Sequence, residues 1–250
     1  HRMTKGDPHN NHSVPVVWGT VGLSYNVNKI KALLPHAPLK SWRLLFDPEY
    51  VKHMASCRVT LLEEPYDLLV PALLTWGLPL QLTPPLIKDI TSHLKRVRPY
   101  IHRFDSLRSA NDLFEGNVCM VMQWTGGVEH ARAQLSDPAS RPDIVTLIPD
   151  EGTVMWIDTL MIPHDAPHPL EAHMFIDFIL RPDIMAAITN KTHYANTVPA
   201  SLSLVDKAIA RHPALYPNEE MMKKVHLNAL ESPHVMRLIN RLMMHLRRGQ

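Results

Sequence analysis

The feature that most constrains the fold is an alternation of short apolar runs with longer stretches whose apolar residues recur at helical spacing. The short runs have the length and composition of β-strands, and the longer ones show the pattern of helices that pack on a sheet. Such an alternation favours an α/β fold with a largely parallel sheet. The strand-like runs cover 14–18, 58–62, 118–124, 143–149 and 153–163, and the helical stretches cover 27–34, 41–56, 65–77, 84–99, 106–116, 127–136, 169–189, 203–213, 218–227 and 232–249.

Individual residues predict where several helices begin and end. Ser106 is expected to cap the N-terminus of the helix 106–116, and Gly116 is expected to end it. Pro65 suits the first turn of the helix 65–77. The last helix carries an apolar stripe that predicts one buried face, formed by Val235, Leu238, Ile239, Leu242, Met243 and Leu246.

Length and charge exclude several classes of function. The 250 residues suit one large domain or two modest lobes, and the formal charge of +2 is too small to predict a nucleic-acid partner. The basic clusters at 95–98 and 245–249 are typical of exposed helix ends. No apolar run approaches the roughly 18 residues of a membrane span, and the polar start 1–13 lacks the apolar segment of a signal peptide.

Motifs of catalysis and cofactor binding are also missing from the sequence. No GxGxxG, Walker, GxSxG or HExxH pattern occurs, so we expect neither a cofactor nor an enzyme. His164, His168 and His173 lie close together in the chain and could approach one metal ion. Their run is broken by prolines and has no recognised ligand spacing, which favours a solvated loop and no metal site.

The two cysteines, Cys57 and Cys119, each lie at a strand-like run. If the two runs are neighbouring strands, a disulfide would close a loop of about 60 residues and stabilise the fold by roughly 4 kcal/mol. Two free buried thiols are an equally good interpretation of these residues alone.

A group of aromatic and acidic residues marks the ends of several predicted strands. Within the apolar run VMWIDTLMIP (154–163), predicted to be a buried strand, Asp158 is the one carboxylate and lies beside Trp156. Burying a carboxylate is costly unless a partner is present. That partner could be a basic side chain, a backbone cap, or a cationic ligand held against the indole of Trp156.

Similar residues follow the other strands. Glu64 and Asp67 come after the strand 58–62, Trp124 ends the strand 118–124, and Tyr194 lies in a later loop. In open sheets ligands bind beyond the carboxyl ends of strands, and aromatic rings that face carboxylates form a receptor for an ammonium group. Taken singly, each acid also suits a helix dipole and each tryptophan suits core packing; their co-occurrence favours a binding site.

Six segments in order resemble the bacterial periplasmic polyamine-binding proteins, the receptors of ABC importers for putrescine and spermidine. The resemblance implies a two-lobed α/β fold of the type II periplasmic-binding-protein kind, with a parallel-rich sheet flanked by helices. The segments are WGTVGLSYNVNKI (18–30), SWRLLFDPEY (41–50), NDLFEGNVCMVMQW (111–124), the strand 153–163, FILRPDI (178–184) and HYANTVPAS (193–201).

The resemblance assigns roles to three aromatic residues. Trp124 matches an indole that stacks along the methylene chain of the ligand. Trp156 matches an aromatic wall of the spermidine-preferring relatives, and Tyr194 matches a tyrosine of the cleft.

The resemblance also assigns three acidic residues. Asp158 matches a carboxylate that holds an ammonium group. Asp67 lies where the family has a glutamate that grips an amine, and Glu64 lies where some spermidine receptors place a further acid. One expected acid is absent, because Gly127 follows Trp124 where the family's turn ends in aspartate. Glu129, two residues on, would need a changed loop to replace it.

The resemblance further implies that this chain lacks the opening part of the N-terminal lobe. Residues 18–152 and 183–250 are predicted to form the C-terminal lobe, and 1–17 and 153–182 a remnant of the N-terminal lobe. The apolar faces of 153–182 are then expected to be exposed. They would repack on the chain, pair with a second copy, or await a companion segment.

We therefore expect a periplasmic protein that captures a polyamine and presents it to an ABC-importer membrane permease, without chemical change. A periplasmic setting favours the Cys57–Cys119 disulfide over free thiols. The alternatives are a lobe that binds a different amine or solute, and an interaction module without a ligand. Self-association through the incomplete lobe is a further expectation.

Overall fold

The computed structural model describes residue 7 and residues 9–135, 142–227 and 231–249. The strands are β1 (Val14–Asn26), β2 (Val59–Leu61), β3 (Arg103–Phe104), β4 (Met120–Trp124), β5 (Ile144–Leu147), β6 (Thr153–Leu160), β7 (Ala195–Asn196) and β8 (Val225–Leu227). The α-helices are α1 (Val27–Leu33), α2 (Arg43–Phe46), α3 (Pro48–Val51), α4 (Pro65–Trp76), α5 (Pro84–Val97), α6 (Ser109–Phe114), α7 (Thr125–Ala133), α8 (Pro169–Ile179), α9 (Pro182–Thr192), α10 (Lys207–Ala210), α11 (Glu219–Met222) and α12 (Pro233–Arg248). Short 3₁₀ helices cover Lys52–Cys57, Arg98–Tyr100 and Pro199–Leu204.

Strand β1 connects two halves of one sheet. Its first half pairs with β6 and β7, and its second half, from Val21, pairs with β4 and β5, all antiparallel. The strand extends to Asn26, well beyond the predicted 14–18, because these partners satisfy its backbone along the whole length. The strand order is β3-β2-β4-β1-β6-β8, with β5 and β7 also on β1.

The α/β class is as predicted, but the sheet is mixed and not largely parallel. Parallel pairing joins β2 to β3 and β4, and β6 to β8, while β1 is antiparallel to its neighbours. Strand β1 continues from one half of the sheet into the other, and it is antiparallel to its neighbours in both halves.

The predicted apolar stripe of the last helix packs into the main core. Val235, Ile239, Leu242, Met243 and Leu246 of α12 are buried, whereas Leu238 is partly buried at the edge of the same cluster. Burial of each such side chain stabilises the fold by about 1.5–3 kcal/mol relative to exposure. None of the described helices is long and apolar enough to cross a membrane.

Two local predictions are wrong for identifiable reasons. Helix α6 begins at Ser109, not Ser106, and the Asp105 carboxylate accepts the backbone N–H groups of Leu107 and Arg108 ahead of it. The helix expected over 218–227 is confined to α11, and β8 follows. Pairing of β8 with β6 overrides the local helical pattern.

The strand expected over 153–163 forms, but only its beginning is buried. Thr153 and Val154 are buried, whereas Asp158 is exposed, because that face of β6 borders an open cavity. Four apolar side chains of α8 are exposed, those of Leu170, Met174, Phe175 and Phe178, and Ile176 alone in this helix is buried.

A disulfide joins Cys57 and Cys119, with 5.4 Å between their Cα atoms. The two cysteines lie just before β2 and β4, which are adjacent parallel strands with Val59 opposite Met120. The disulfide interpretation is thereby confirmed, and free thiols are ruled out for these residues. The bond ties the segment 52–57 to the centre of the sheet.

Reduction of this disulfide should destabilise the protein, because the bond spans 62 positions of the chain and its loss frees the unfolded state. The expected loss is about 4 kcal/mol of unfolding free energy as an upper value. Urea unfolding with and without reductant measures it. The double variant Cys57→Ser, Cys119→Ser is the control, since reductant should leave it unchanged. An equal midpoint for the oxidised and reduced wild-type chain would contradict the prediction.

Candidate functional site

All six residues that the sequence singled out for ligand binding line one open cavity of about 530 Å³. The cavity lies beside the sheet, between the start of α4, the end of β4 and one face of β6. Sequence reasoning missed three of the lining residues. The complete lining is Val17, Glu64, Pro65, Tyr66, Asp67, Trp124, Trp156, Asp158 and Tyr194.

Local structure explains why these side chains converge. Glu64 is the N-cap residue of α4 and Asp67 lies in its first turn, next to the end of β2. Trp124 ends β4 and is the N-cap residue of α7. Trp156 and Asp158 are two positions apart on β6, so they share one face of the strand.

Tyr194 reaches the cavity because of the way α9 ends. His193 adopts a left-handed conformation with φ 63° as the C-cap residue, and the chain then turns into β7. This turn directs the ring of Tyr194 to the start of α7, where an ideal Cβ on Gly126 would lie 2.3 Å from Tyr194 Cδ1. Only glycine fits at position 126 with the ring in this place.

Asp67 is the most deeply buried acid of the cavity, with 5% of its surface exposed. Burial raises its pKa to about 6, and the nearby Glu64 charge adds to the rise. The indole N–H of Trp124 donates a hydrogen bond to Asp67 Oδ2 at 2.7 Å, which opposes the rise. The bond also fixes the orientation of the Trp124 ring.

Ser106 holds Glu64 in place. The prediction that Ser106 caps a helix is wrong. Its hydroxyl donates to Glu64 Oε2 and accepts the backbone N–H of Glu63 at 3.0 Å. The side chain of Gln123 donates to the Ser106 carbonyl at 3.1 Å. Ser106 follows β3, a strand parallel to β2. Its position at the carboxyl end of that strand could have identified it from the sequence as a residue near the site.

Three aromatic rings form a continuous wall. Trp124 and Trp156 meet edge to face with centroids 6.5 Å apart, and Trp156 and Tyr194 do so at 5.0 Å. An ideal Cβ on Gly19 would lie 2.6 Å from Trp156 Cζ2, so the glycine in β1 makes room for that indole. Edge-to-face pairs contribute about 0.5–1.5 kcal/mol each beyond burial, which keeps the wall ordered.

At the turn after Trp124, where an acid was expected, the neutral hydroxyl of Tyr194 lies beside Gly127. An ideal Cβ on Gly127 would lie 3.1 Å from the hydroxyl oxygen of Tyr194. Burial and the Asp158 charge raise the pKa of Tyr194 to about 12, so its hydroxyl stays protonated. Glu129 does not replace the missing acid, because it is buried and bonded to Arg132 at 2.9 Å.

Asp158 has no cationic partner in the described part of the chain. No basic side chain there lies within 4.0 Å of its carboxylate, and no described backbone N–H caps it. Desolvation raises its pKa. Two of the three interpretations of this carboxylate, a basic neighbour and a cap, thus have no support.

The lining of the cavity is both acidic and aromatic. Its described lining holds three carboxylates and no lysine, arginine or histidine. Carboxylates in a partly desolvated cavity favour a cation, and ring faces add to that attraction. A cavity of about 370 Å³ on the opposite face of β1 and β6 is apolar and has no charged residue in its lining.

The described residues contain no cluster of side chains that could bind a metal ion. In the described ranges, no group of three or more histidine, cysteine, aspartate or glutamate side chains is placed to hold a metal ion. His164, His168 and His173 are all exposed, along the loop before α8 and on that helix.

Replacement of Asp67 by asparagine should stabilise the free protein at pH 8 but not near pH 4. A raised carboxyl pKa means that the fold disfavours the ionised form, a cost that develops between pH 4 and pH 6 and is complete above it. Removing a cost equivalent to about two pKa units should raise the free energy of unfolding by on the order of 2–3 kcal/mol. Asparagine can still accept the Trp124 N–H.

Urea unfolding at both pH values measures this effect. Asp89→Asn is the matched control, because Asp89 is an exposed acid on α5 outside the cavity. A pH-independent difference between Asp67→Asn and wild type, or a loss of stability at pH 8, would count against the assigned burial cost.

Comparison with known proteins gives this cavity a context. The chain is 36% identical over 223 residues to the putrescine/agmatine-binding protein of Pseudomonas aeruginosa, covering 88% of this chain and 61% of the relative. It is 31% identical over 251 residues to the putrescine-binding periplasmic protein PotF of Escherichia coli, covering 99% and 68%. The chain thus spans about three fifths to two thirds of the length of these relatives.

Solved structures show the same fold. The spermidine/putrescine ABC transporter substrate-binding protein PotD of Streptococcus pneumoniae superposes with a TM-score of 0.78 at 20% identity, over 97% of this chain and 70% of that one. The predicted fold class, that of the type II periplasmic binding proteins, is confirmed. The family model of the bacterial extracellular solute-binding proteins matches residues 4–225. The chain therefore belongs to the family of bacterial extracellular solute-binding proteins.

Proposed function

We propose that this chain captures a polyamine of the putrescine class for an ABC importer. One observation carries the proposal: three carboxylates without a basic side chain among the lining residues converge with two indoles on one open cavity. The names of the relatives, which bind putrescine, support the choice of ligand class.

Each side chain has a distinct role in the proposed complex. Asp158 holds one ammonium group, and Asp67 and Glu64 hold the nitrogen at the other side of the cavity. The rings of Trp124 and Trp156 cover the methylene chain between them. A charge-assisted hydrogen bond to a buried ammonium contributes about 1.5–3 kcal/mol, more than an exposed cation–π contact, so the acids supply most of the affinity.

Binding is coupled to ionisation of Asp67 in this account. Its pKa is raised to about 6 in the free protein, and an ammonium group beside it would lower that pKa. The ligand therefore binds best when Asp67 is ionised, and binding near pH 6 releases a proton. Affinity should fall as the pH drops below 6.

The setting of the proposed function follows the family. The chain would work in the periplasm, where an oxidising environment maintains the Cys57–Cys119 bond. It would present its ligand to an ABC-importer permease by closure of two lobes, with no chemical conversion. Self-association through the incomplete lobe stays a prediction of the sequence.

The lobe boundaries are part of the proposal. Residues 18–152 and 183–250 would form the C-terminal lobe, and 1–17 and 153–182 the remnant of the N-terminal lobe. The main apolar cluster supports the first assignment in part: it unites side chains from Val21 onward with those of α12, but it also contains Val154 of the segment 153–182. A separate small cluster joins Ala186 to Val205, Ile209 and Leu215.

A less charged solute is the second candidate. The neutral hydroxyl of Tyr194 beside Gly127 favours it, because Asp158 is then the one carboxylate at that side of the cavity. Equal affinities for 1-aminobutane and 1,4-diaminobutane would support this candidate over a diamine. A lobe that serves as an interaction module would bind neither.

Replacement of Asp158 by asparagine should abolish most of the stabilisation that a diamine confers. The change removes one charge-assisted bond and is expected to weaken binding at least tenfold, while the exposed position spares the fold. Thermal unfolding with and without 1,4-diaminobutane measures it. Asp89→Asn, which removes an exposed acid elsewhere, is the control and should keep the full shift. An unchanged shift in Asp158→Asn would refute the role of this carboxylate.

A further inference from the structure

The excess positive charge of the chain lies on two helices. The segments 84–98 and 233–249, which contain α5 and α12, hold eight lysines and arginines but one acid, Asp89. Their formal charge is therefore +7, and because the whole chain carries +2, the remaining residues together carry −5. The eight cations are Lys88, Lys95, Arg96, Arg98, Arg237, Arg241, Arg247 and Arg248.

The fold joins the two segments into one surface. Helices α5 and α12 pack on each other and share the main apolar cluster. Where both helices end, the guanidinium of Arg98 donates to the backbone carbonyl of Leu246 and, at 3.4 Å, to that of Arg247. The helices therefore run in the same direction, and the basic clusters 95–98 and 245–249 lie together. The surface that carries the eight cations is called the α5–α12 surface below.

A groove of about 330 Å³ runs between the two helices. Lys88 and Lys95 of α5 line one side of it, and Arg241 and His245 of α12 line the other. All four side chains are exposed, and none forms an ion pair within the described ranges. The described lining of the groove contains no aspartate or glutamate. An anion in the groove would therefore meet cations on both sides.

Apolar side chains lie among these cations. Arg237, Arg241, Met244 and Arg248 recur at intervals of three or four residues, so they share one face of α12. Met244 is 53% exposed on that face, and Leu242 lines the groove beside it. A helix face that combines arginines with apolar side chains is typical of the interface of an anionic membrane.

We propose that the α5–α12 surface binds the phosphate headgroups of an anionic phospholipid bilayer. Its cations extend along two helices of about 20 Å and do not converge on one point. A bilayer offers many phosphates that can rearrange to meet such a surface, whereas a single small anion would leave most of the cations unpaired. The negative charge of the remaining residues would turn them away from the bilayer, so charge also orients the chain.

This inference does not depend on polyamine capture. The α5–α12 surface shares no residue with the lining of the acidic cavity. Neither helix belongs to the segment 153–182, and the apolar sides of both helices are covered by the main cluster. Contact with a bilayer would place the chain beside any membrane-embedded partner, whatever solute the cavity holds.

Co-sedimentation of the 250-residue chain with lipid vesicles tests the proposal. Vesicles of phosphatidylcholine with about 30% phosphatidylglycerol should bind the protein at low salt, and vesicles of phosphatidylcholine alone should not. Affinity for the anionic vesicles should fall about tenfold or more between roughly 50 and 200 mM salt, because added salt shortens the range of the attraction.

The triple variant Lys88→Gln, Lys95→Gln, Arg241→Gln removes three charges from the two sides of the groove. A cation near an anionic membrane contributes roughly 1 kcal/mol, so vesicle binding should weaken on the order of a hundredfold. Circular dichroism checks that the variant is folded. Its thermal shift with 1,4-diaminobutane should equal that of the wild type, because none of the three residues lines the acidic cavity.

The matched control is Lys191→Gln, Lys207→Gln, Lys223→Gln. It removes the same charge from exposed lysines outside the α5–α12 surface. This variant should bind anionic vesicles within about threefold of the wild type, since cations away from the bilayer contribute little beyond a Debye length.

Four results would overturn the proposal. They are no binding to anionic vesicles at low salt, equal binding to phosphatidylcholine alone, an equal loss in the two triple variants, and saturable binding of soluble tripolyphosphate without binding to vesicles. The last result would assign the groove to a soluble anion. A missing diamine shift in the wild type would count against the acidic cavity as a receptor and leave the vesicle result standing.

Discussion

The pairing of β1 with both halves of the sheet holds the fold and the cavity together. Its first half holds β6, which carries Trp156 and Asp158, and its second half holds β4, which carries Trp124. Gly19, in the same strand, leaves the space that the Trp156 indole occupies. Loss of register in β1 would separate the two sides of the cavity, so fold and site are determined by the same backbone hydrogen bonds.

The cavity retains an electrostatic cost that a purely structural protein would avoid. Asp67 is buried with a raised pKa, and Asp158 has no cation beside it in the described structure. Hydrogen bonds orient two of the cavity's acids: the Trp124 indole orients Asp67, and Ser106 orients Glu64. Acids that lower the stability of the free protein and become favourable when a cation binds are typical of a receptor.

The sequence predicts those parts of the fold that depend on local pattern. The stripe of α12 and the proline-led start of α4 are visible in the chain because helical spacing and N-terminal prolines act over a few residues. Trp124 and Asp67 could be expected to meet, since ends of neighbouring strands share one edge of a sheet. Tyr194 was singled out in a later loop, and the resemblance to the polyamine-binding proteins assigned it to the cleft; its position depends on the turn at His193.

The parts that escaped prediction depend on distant partners. The full length of β1 was hidden because Gly19 and Gly22 interrupt its apolar run, although both glycines are needed for close contacts. The residues of β8 have a helical pattern in the sequence, but they form a strand because they pair with β6. Ser106 looks like a helix cap from its neighbours, and its bond to Glu64, forty-two positions away, exists only in the folded chain.

Isothermal titration of the chain with putrescine, and then with spermidine, at low and moderate salt would show whether the acidic cavity binds a polyamine. We predict saturable binding whose affinity falls as salt rises, because carboxylates supply most of the attraction in an open cavity. The absence of a binding heat from a demonstrably folded sample, or an affinity that does not change with salt, would contradict this prediction.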